Sequence, residues 1–213
     1  MDLISNYKAV KNKIDTLKKK VTLIAISKTF SIEYIQPILD LGHTDFGENK
    51  VQESKKWISV KKNSPLLKLH LVGKLQRNKV KYIFDIFDVV HSLDSIPLAI
   101  ELDKQEKIRK KNLDYFIQVN LGNENQKSGV FINDLDDFFN FCKTNTNLNI
   151  IGFMCIPPMQ EDPIFFFKKL KEISNKYNLP NLSMGMSGDY TLAIECGATH
   201  VRIGSEIFGK RSV

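Results

Sequence analysis

The sequence predicts a single (β/α)8 barrel, the TIM-barrel layout of the α/β class, preceded by one extra helix. Short, nearly unbroken apolar runs recur along the chain and end in polar residues, as strands buried on both faces do. Segments of helical period separate the runs, which number eight. A doubly wound open sheet is the competing layout, because it uses the same right-handed crossovers. The 213 residues suffice for one sizeable core. We therefore expect one domain over residues 1–213, with a helix at 2–20 and the barrel at 21–209.

The elements follow in order. Leu3, Tyr7, Val10, Ile14 and Leu17 fall at steps of three and four, which gives the leading helix one apolar face. Strand one is 21–28 (VTLIAISK). A helix at 31–41 rests on Ile32, Ile35 and Leu39, although Pro37 removes one of its hydrogen bonds. Strand two is 44–49 (TDFGEN), followed by a helix at 50–60. Strand three is 66–73 (LLKLHLVG), followed by a helix whose Val80, Ile83, Phe84 and Phe87 share a face. Strand four is 88–94 (DVVHSLD), with Ser95 as the N-cap of a helix reaching Arg109. Strand five, 113–120 (LDYFIQVN), leads through a polar loop at 121–129 to a helix with Leu135, Phe138, Phe139 and Cys142 at core spacing. Asp134, Asp136 and Asp137 occupy its first turn, where acids suit the helix dipole. Strand six is 149–157 (NIIGFMCIP). Asp162 and Pro163 open the next helix, striped by Phe166, Leu170, Ile173 and Tyr177. Strand seven is 181–186 (NLSMGM), a short helix covers 189–196, and strand eight is 200–209 (HVRIGSEIFG).

Composition narrows the function. Hydrophobic residues make up 42% and charged residues 26%, an ordinary globular balance. No apolar run reaches the length of a signal peptide or a membrane span, so we expect a cytoplasmic protein with no membrane partner. Cys142, Cys155 and Cys196 are odd in number and lie far apart, which encodes neither a disulfide framework nor a zinc knuckle. The net charge of +7 raises the possibility of nucleic acid, but the basic pairs are scattered over helix surfaces and no RNA-recognition or helix-turn-helix signature accompanies them. We expect no nucleic-acid partner. His43, His70, His91 and His200 lack metal-ligand spacing, so no metal is expected, and His70 and His91 read as interior histidines rather than bases.

Barrel active sites lie at the C-terminal ends of the strands. Lys28 ends strand one behind the apolar stretch 23–26, where partial desolvation favours the neutral amine that attacks an aldehyde. A strand-end lysine can equally leave for solvent. Gly204 and Ser205 towards the end of strand eight, with Ser187 and Gly188 after strand seven, make a candidate phosphate cup, or two ordinary turns with Ser187 or Asp189 as an N-cap. Arg202 can meet a ring nitrogen in the barrel mouth, or pair with Glu48 or Glu206. Asn49 can bond a phenolic oxygen or cap the next helix.

Seven motifs stand in this order: Ala25-Ile26-Ser27-Lys28-Thr29, Phe46-Gly47-Glu48-Asn49, His70-Leu71-Val72-Gly73 with Leu75-Gln76, Lys127-Ser128-Gly129, Gly152-Phe153-Met154, Ser183-Met184-Gly185-Met186-Ser187, and Val201-Arg202-Ile203-Gly204-Ser205 with Ile207-Phe208-Gly209. Together they resemble the pyridoxal phosphate homeostasis proteins, the YggS/PROSC family, whose barrel is similar to the N-terminal domain of alanine racemase. Gly188 and Lys50 depart from that family's common pattern. The resemblance implies pyridoxal 5′-phosphate held as a Schiff base on Lys28, its phosphate on Ser187, Gly204 and Ser205, Arg202 at the pyridine nitrogen, and Asn49 near the ring. An arginine there makes the ring a poorer electron sink, and a racemase needs a second base that related enzymes bring from another domain. We therefore expect a non-catalytic cofactor carrier, a monomer that hands its cargo to apo-enzymes. A pyridoxal-phosphate-dependent racemase or lyase is the alternative, and an aldolase-type amine acting on another sugar phosphate is a third reading.

Overall fold

In the computed structural model, which describes residues 2–209, the strands are β1 Thr22–Ile26, β2 Asp45–Glu48, β3 Lys68–Leu71, β4 Val89–Leu93, β5 Asp114–Asn120, β6 Val130–Phe131, β7 Asn149–Met154, β8 Asn181–Met186 and β9 His200–Ile203. The order is β4-β3-β2-β1-β9-β8-β7-β5-β6, and a further β4–β5 pairing joins the two ends. All of these pairings are parallel. The result is a closed eight-stranded parallel barrel, not an open sheet, with the two-residue β6 attached to β5.

The surrounding helices are α1 Leu3–Thr16, α2 Ile32–Asp40, α3 Trp57–Asn63, α4 Ile96–Arg109, α5 Leu135–Asn145, α6 Pro163–Lys176, α7 Tyr190–Glu195 and α8 Ser205–Phe208. Caps explain several of their starts. Asp2 accepts from Ser5 N, Ser31 from Tyr34 N, and Asp162 from Ile164 N ahead of Pro163. Pro37 sits inside α2, where the fully buried Ile35 and Ile38 supply packing that offsets the missing hydrogen bond.

Four expectations need correction. Strand eight stops at Ile203, and residues 205–208 form α8, because Gly204 ends the ladder and one helical turn buries Ile207 and Phe208 together. The segments after strands two and three begin as 3-10 turns, Gln52–Lys56 and Arg77–Tyr82, although Val80, Ile83, Phe84 and Phe87 are buried as their spacing requires. Asp134 belongs to a 3-10 turn ahead of α5, so only Asp136 and Asp137 lie in that helix's first turn. The leading helix ends at Thr16, since Lys18 turns left-handed at φ 51°.

Inside the barrel, rings from four strands meet. His91 stacks on Phe116 at 4.4 Å between centroids, Phe116 meets His200 edge-on at 5.1 Å, and His70 lies 5.2 Å from His91. Desolvation holds His43 and His200 at about 4 and His91 well below its ordinary value. Their folded pKa values lie below the unfolded value of roughly 6.5, so the unfolded chain binds more protons once the pH falls below that value. Stability therefore declines as pH falls from about 6.5 towards 4, by about 2 kcal/mol at pH 5 for each of His43 and His200, and His91 adds to the decline. Asp94 and Glu106, raised by burial, act in the opposite direction and blunt the decline. We expect a melting temperature on the order of 10 °C lower at pH 5 than at pH 7. Calorimetry showing no change across that interval contradicts the assignment of neutral interior histidines.

Candidate functional site

The C-terminal ends of β1, β2, β8 and β9 open onto a cavity of about 620 Å³. Lys28, Asn49, Ser187, Arg202, Gly204 and Ser205 all line it, so the residues singled out in the sequence converge on one place. Ile26, Phe30, Val72, Ile156 and Met186 supply apolar walls.

Lys28 sits in a turn closed by Phe30 N donating to Ser27 O at 3.2 Å. Its neighbour Thr29 lies at φ 73°, a region that a β-branched residue seldom occupies and that persists only where the surroundings enforce it. Lys56 supplies that enforcement. Its ammonium donates to Ser27 O at 3.0 Å and Phe30 O at 2.6 Å, gripping both ends of the turn. The same ammonium pairs at 2.9 Å with Glu48, whose Oε1 also accepts from Ser27 Oγ at 2.8 Å and Trp57 Nε1 at 2.9 Å. Glu48 is completely buried.

Asn49 follows Glu48 at the end of β2. Gly73 approaches it so closely that an added Cβ would lie 2.2 Å from Asn49 O, which only glycine avoids. Across the mouth, Gly185 at φ +89° leaves β8 beneath α7, where a Cβ would meet Ala193 at 2.6 Å. Ser187 follows, and its Oγ accepts from Glu206 N at 3.4 Å, linking the turns after β8 and β9. Asp189 takes the N-cap position of α7, but its carboxylate accepts from Met186 N at 2.6 Å instead of capping forward.

Arg202 points its guanidinium into the interior, with Nη1 donating to Ser183 Oγ at 2.7 Å and Nη2 to Cys155 O at 3.0 Å. Burial lowers its pKa from the ordinary value, yet a guanidinium keeps its proton. Neither ion pair weighed from the sequence forms: Glu48 pairs with Lys56, and Glu206 accepts from Tyr190 Oη at 3.2 Å. The sequence reading missed Lys56, Ser183 and Cys155 as functional neighbours. A hydroxyl inside the apolar run of β8 was the available signal for Ser183. Lys56 carried none, being one of a basic pair. Among the described residues, no group of three or more His, Cys, Asp or Glu could hold a metal ion, and no helix is long and apolar enough to cross a membrane.

An amine, a buried cation, hydroxyl-bearing turns and apolar walls around one barrel mouth suit an anionic carbonyl compound with an apolar body. Such a barrel is of the kind that binds a small molecule at the C-terminal ends of its strands. The chain belongs to the alanine racemase N-terminal domain family, whose model matches residues 2–212, and within it to the pyridoxal phosphate homeostasis proteins. It is 41% identical over 200 residues to the pyridoxal phosphate homeostasis protein of Aquifex aeolicus, covering 89% of this chain and 86% of that one. With the Haemophilus influenzae protein of the same name it shares 33% over 230 residues, covering 100% and 97%. Among solved structures, PipY of Synechococcus elongatus with PLP bound superposes with a TM-score of 0.83 at 31% identity, over 93% of this chain and 99% of that chain. Alanine racemase of Corynebacterium glutamicum, at 15% identity and a TM-score of 0.71, shares the fold over 99% of this chain and 61% of its own.

Proposed function

We propose that this chain holds pyridoxal 5′-phosphate reversibly as a Schiff base on Lys28 and takes part in homeostasis of that cofactor without turning over a substrate. The observation that carries the reading is the opening of Lys28 onto the same cavity as Ser187, Gly204, Ser205 and Arg202. Its support from relatives is the PLP bound to PipY and the name shared by the curated proteins.

The chemistry needs no co-reactant. In its neutral form the Lys28 amine would add to the aldehyde carbon to form a C–N bond, and the carbonyl oxygen would leave as water with the two amine protons. Hydrolysis reverses the step. Ser187, Gly204 and Ser205 would hold the phosphate, with Arg202 towards the ring nitrogen and Asn49 near the ring. Bound in this way, the cofactor supplies an electrophilic carbon kept from other amines.

The composition of the lining favours a carrier over a racemase or lyase. Among the described residues that line the cavity, the titratable side chains are Lys28 and Arg202, and arginine cannot serve as a base. Racemisation needs a second proton acceptor on the opposite face. We extend the proposal to a cytoplasmic monomer that delivers its cargo to apo-enzymes. Absorption spectra of the purified protein before and after borohydride, with peptide mapping, test it: a single label on Lys28 is expected. Interconversion of alanine enantiomers well above the rate of free cofactor, lost on Lys28→Ala, would move the protein to the enzyme class.

A further inference from the structure

Among the described residues no carboxylate forms an ion pair with the buried Arg202, although Asp189 acts on it from further away, and such a charge is costly unless something offsets it. The interior histidines continue its hydrogen bonding. Ser183 Oγ lies 2.8 Å from His91 Nδ1, His91 Nε2 lies 2.9 Å from His70 Nδ1, and His70 Nε2 lies 3.2 Å from Asp45 Oδ1. Asp45 opens β2, so the chain of side chains runs from the cavity to the opposite end of the barrel.

The proton positions follow from both ends. A guanidinium only donates, so Ser183 Oγ accepts from Arg202, and with His91 neutral and protonated on Nε2 it gives its own proton to His91 Nδ1. A carboxylate only accepts, so His70 carries its proton on Nε2 and leaves Nδ1 open to the Nε2 proton of His91. The two assignments meet without conflict at neutral histidines. Each bond points from Arg202 towards Asp45, and bonds aligned in this way polarise one another. Other ionisable groups around the chain are His200, His43, Lys11 and Lys68 towards Asp45, and Cys155 and Asp189 near Arg202. None of them interrupts it.

We propose that Asp45, His70, His91 and Ser183 are positioning residues for Arg202, fixing its guanidinium at the cavity and sharing with it the negative charge of a carboxylate at the far end of the barrel. What that guanidinium faces rests on the function proposed above.

Two measurements test the relay. In the ligand-free protein, 15N NMR of the histidine rings should show His70 and His91 neutral, both protonated on Nε2. In the loaded protein, the pH midpoint of the visible absorption change reports the protonated imine on Lys28. Asp45→Asn keeps an acceptor oxygen and the shape but removes the charge, leaving a barer cation near the imine. The midpoint should fall by about half a unit. Ser183→Ala, which cuts the chain, should lower it at least as far and weaken cofactor binding several-fold, and Ser183→Thr should restore both. A merely structural role would change melting temperatures and leave the midpoint in place. An Nδ1 proton on either histidine, or an identical midpoint in the unmodified protein, Asp45→Asn and Ser183→Ala, overturns the relay alone. Failure of the unmodified protein to take up the aldehyde overturns this inference and the proposed function together.

Discussion

In the Lys28→Ala variant, the borohydride-stable label and the visible absorption of bound pyridoxal 5′-phosphate are expected to vanish, and affinity to fall on the order of 100-fold or more. Alanine has no amine to add to the aldehyde, so only the non-covalent contacts remain. Ser187, Ser205 and Arg202 stay in place, and a weak, phosphate-directed association should survive. Lys28 is partly exposed, at the tip of a turn secured by Lys56. An unchanged melting temperature in the ligand-free state then separates lost chemistry from lost fold. Lys28→Arg sharpens the result, because it retains a cation and supplies no neutral amine at ordinary pH. Spectroscopic titration of the three proteins checks the prediction. Undiminished labelling of the alanine variant would move the site to another lysine.

The legible part of this molecule was the part written locally. Strand β1 reads as an apolar run because a parallel strand covered on both faces has no polar side, and Lys28 stands out as the first charge beyond it. The six lining residues were visible for the same reason, since each lies at or just past a strand end. What escaped was non-local. His70 and His91 could be read as interior residues, but their partners Asp45 and Ser183 come from β2 and β8, whose register no single-sequence pattern specifies. Lys55 and Lys56 look alike in the sequence, yet Lys55 is exposed while Lys56 reaches a buried carboxylate on the neighbouring strand. The mistaken strand at 204–209 has a different origin: an apolar pair after a glycine fits a strand end and a single helical turn equally well.

Lys56→Met is expected to destabilise the protein by about 3–5 kcal/mol, because it leaves the fully buried Glu48 carboxylate without its counter-charge. Ser27 Oγ and Trp57 Nε1 would remain as its donors, and neutral donors do not compensate a buried anion. For a chain of this length the melting temperature should drop by roughly 10 °C. The same substitution frees the Ser27 and Phe30 carbonyls, so the strained turn at Thr29 can relax and Lys28 loses its aim. Stability and binding can be separated with a second change. Glu48→Gln added to Lys56→Met removes the uncompensated charge while its amide oxygen still accepts from Ser27 and Trp57, and most of the lost stability should return. Cofactor affinity should not return with it, since the double variant still lacks the ammonium that grips the two ends of the turn. Recovery of both together would show that Lys56 acts only as a counter-ion; recovery of stability alone identifies it as the residue that positions the Lys28 turn.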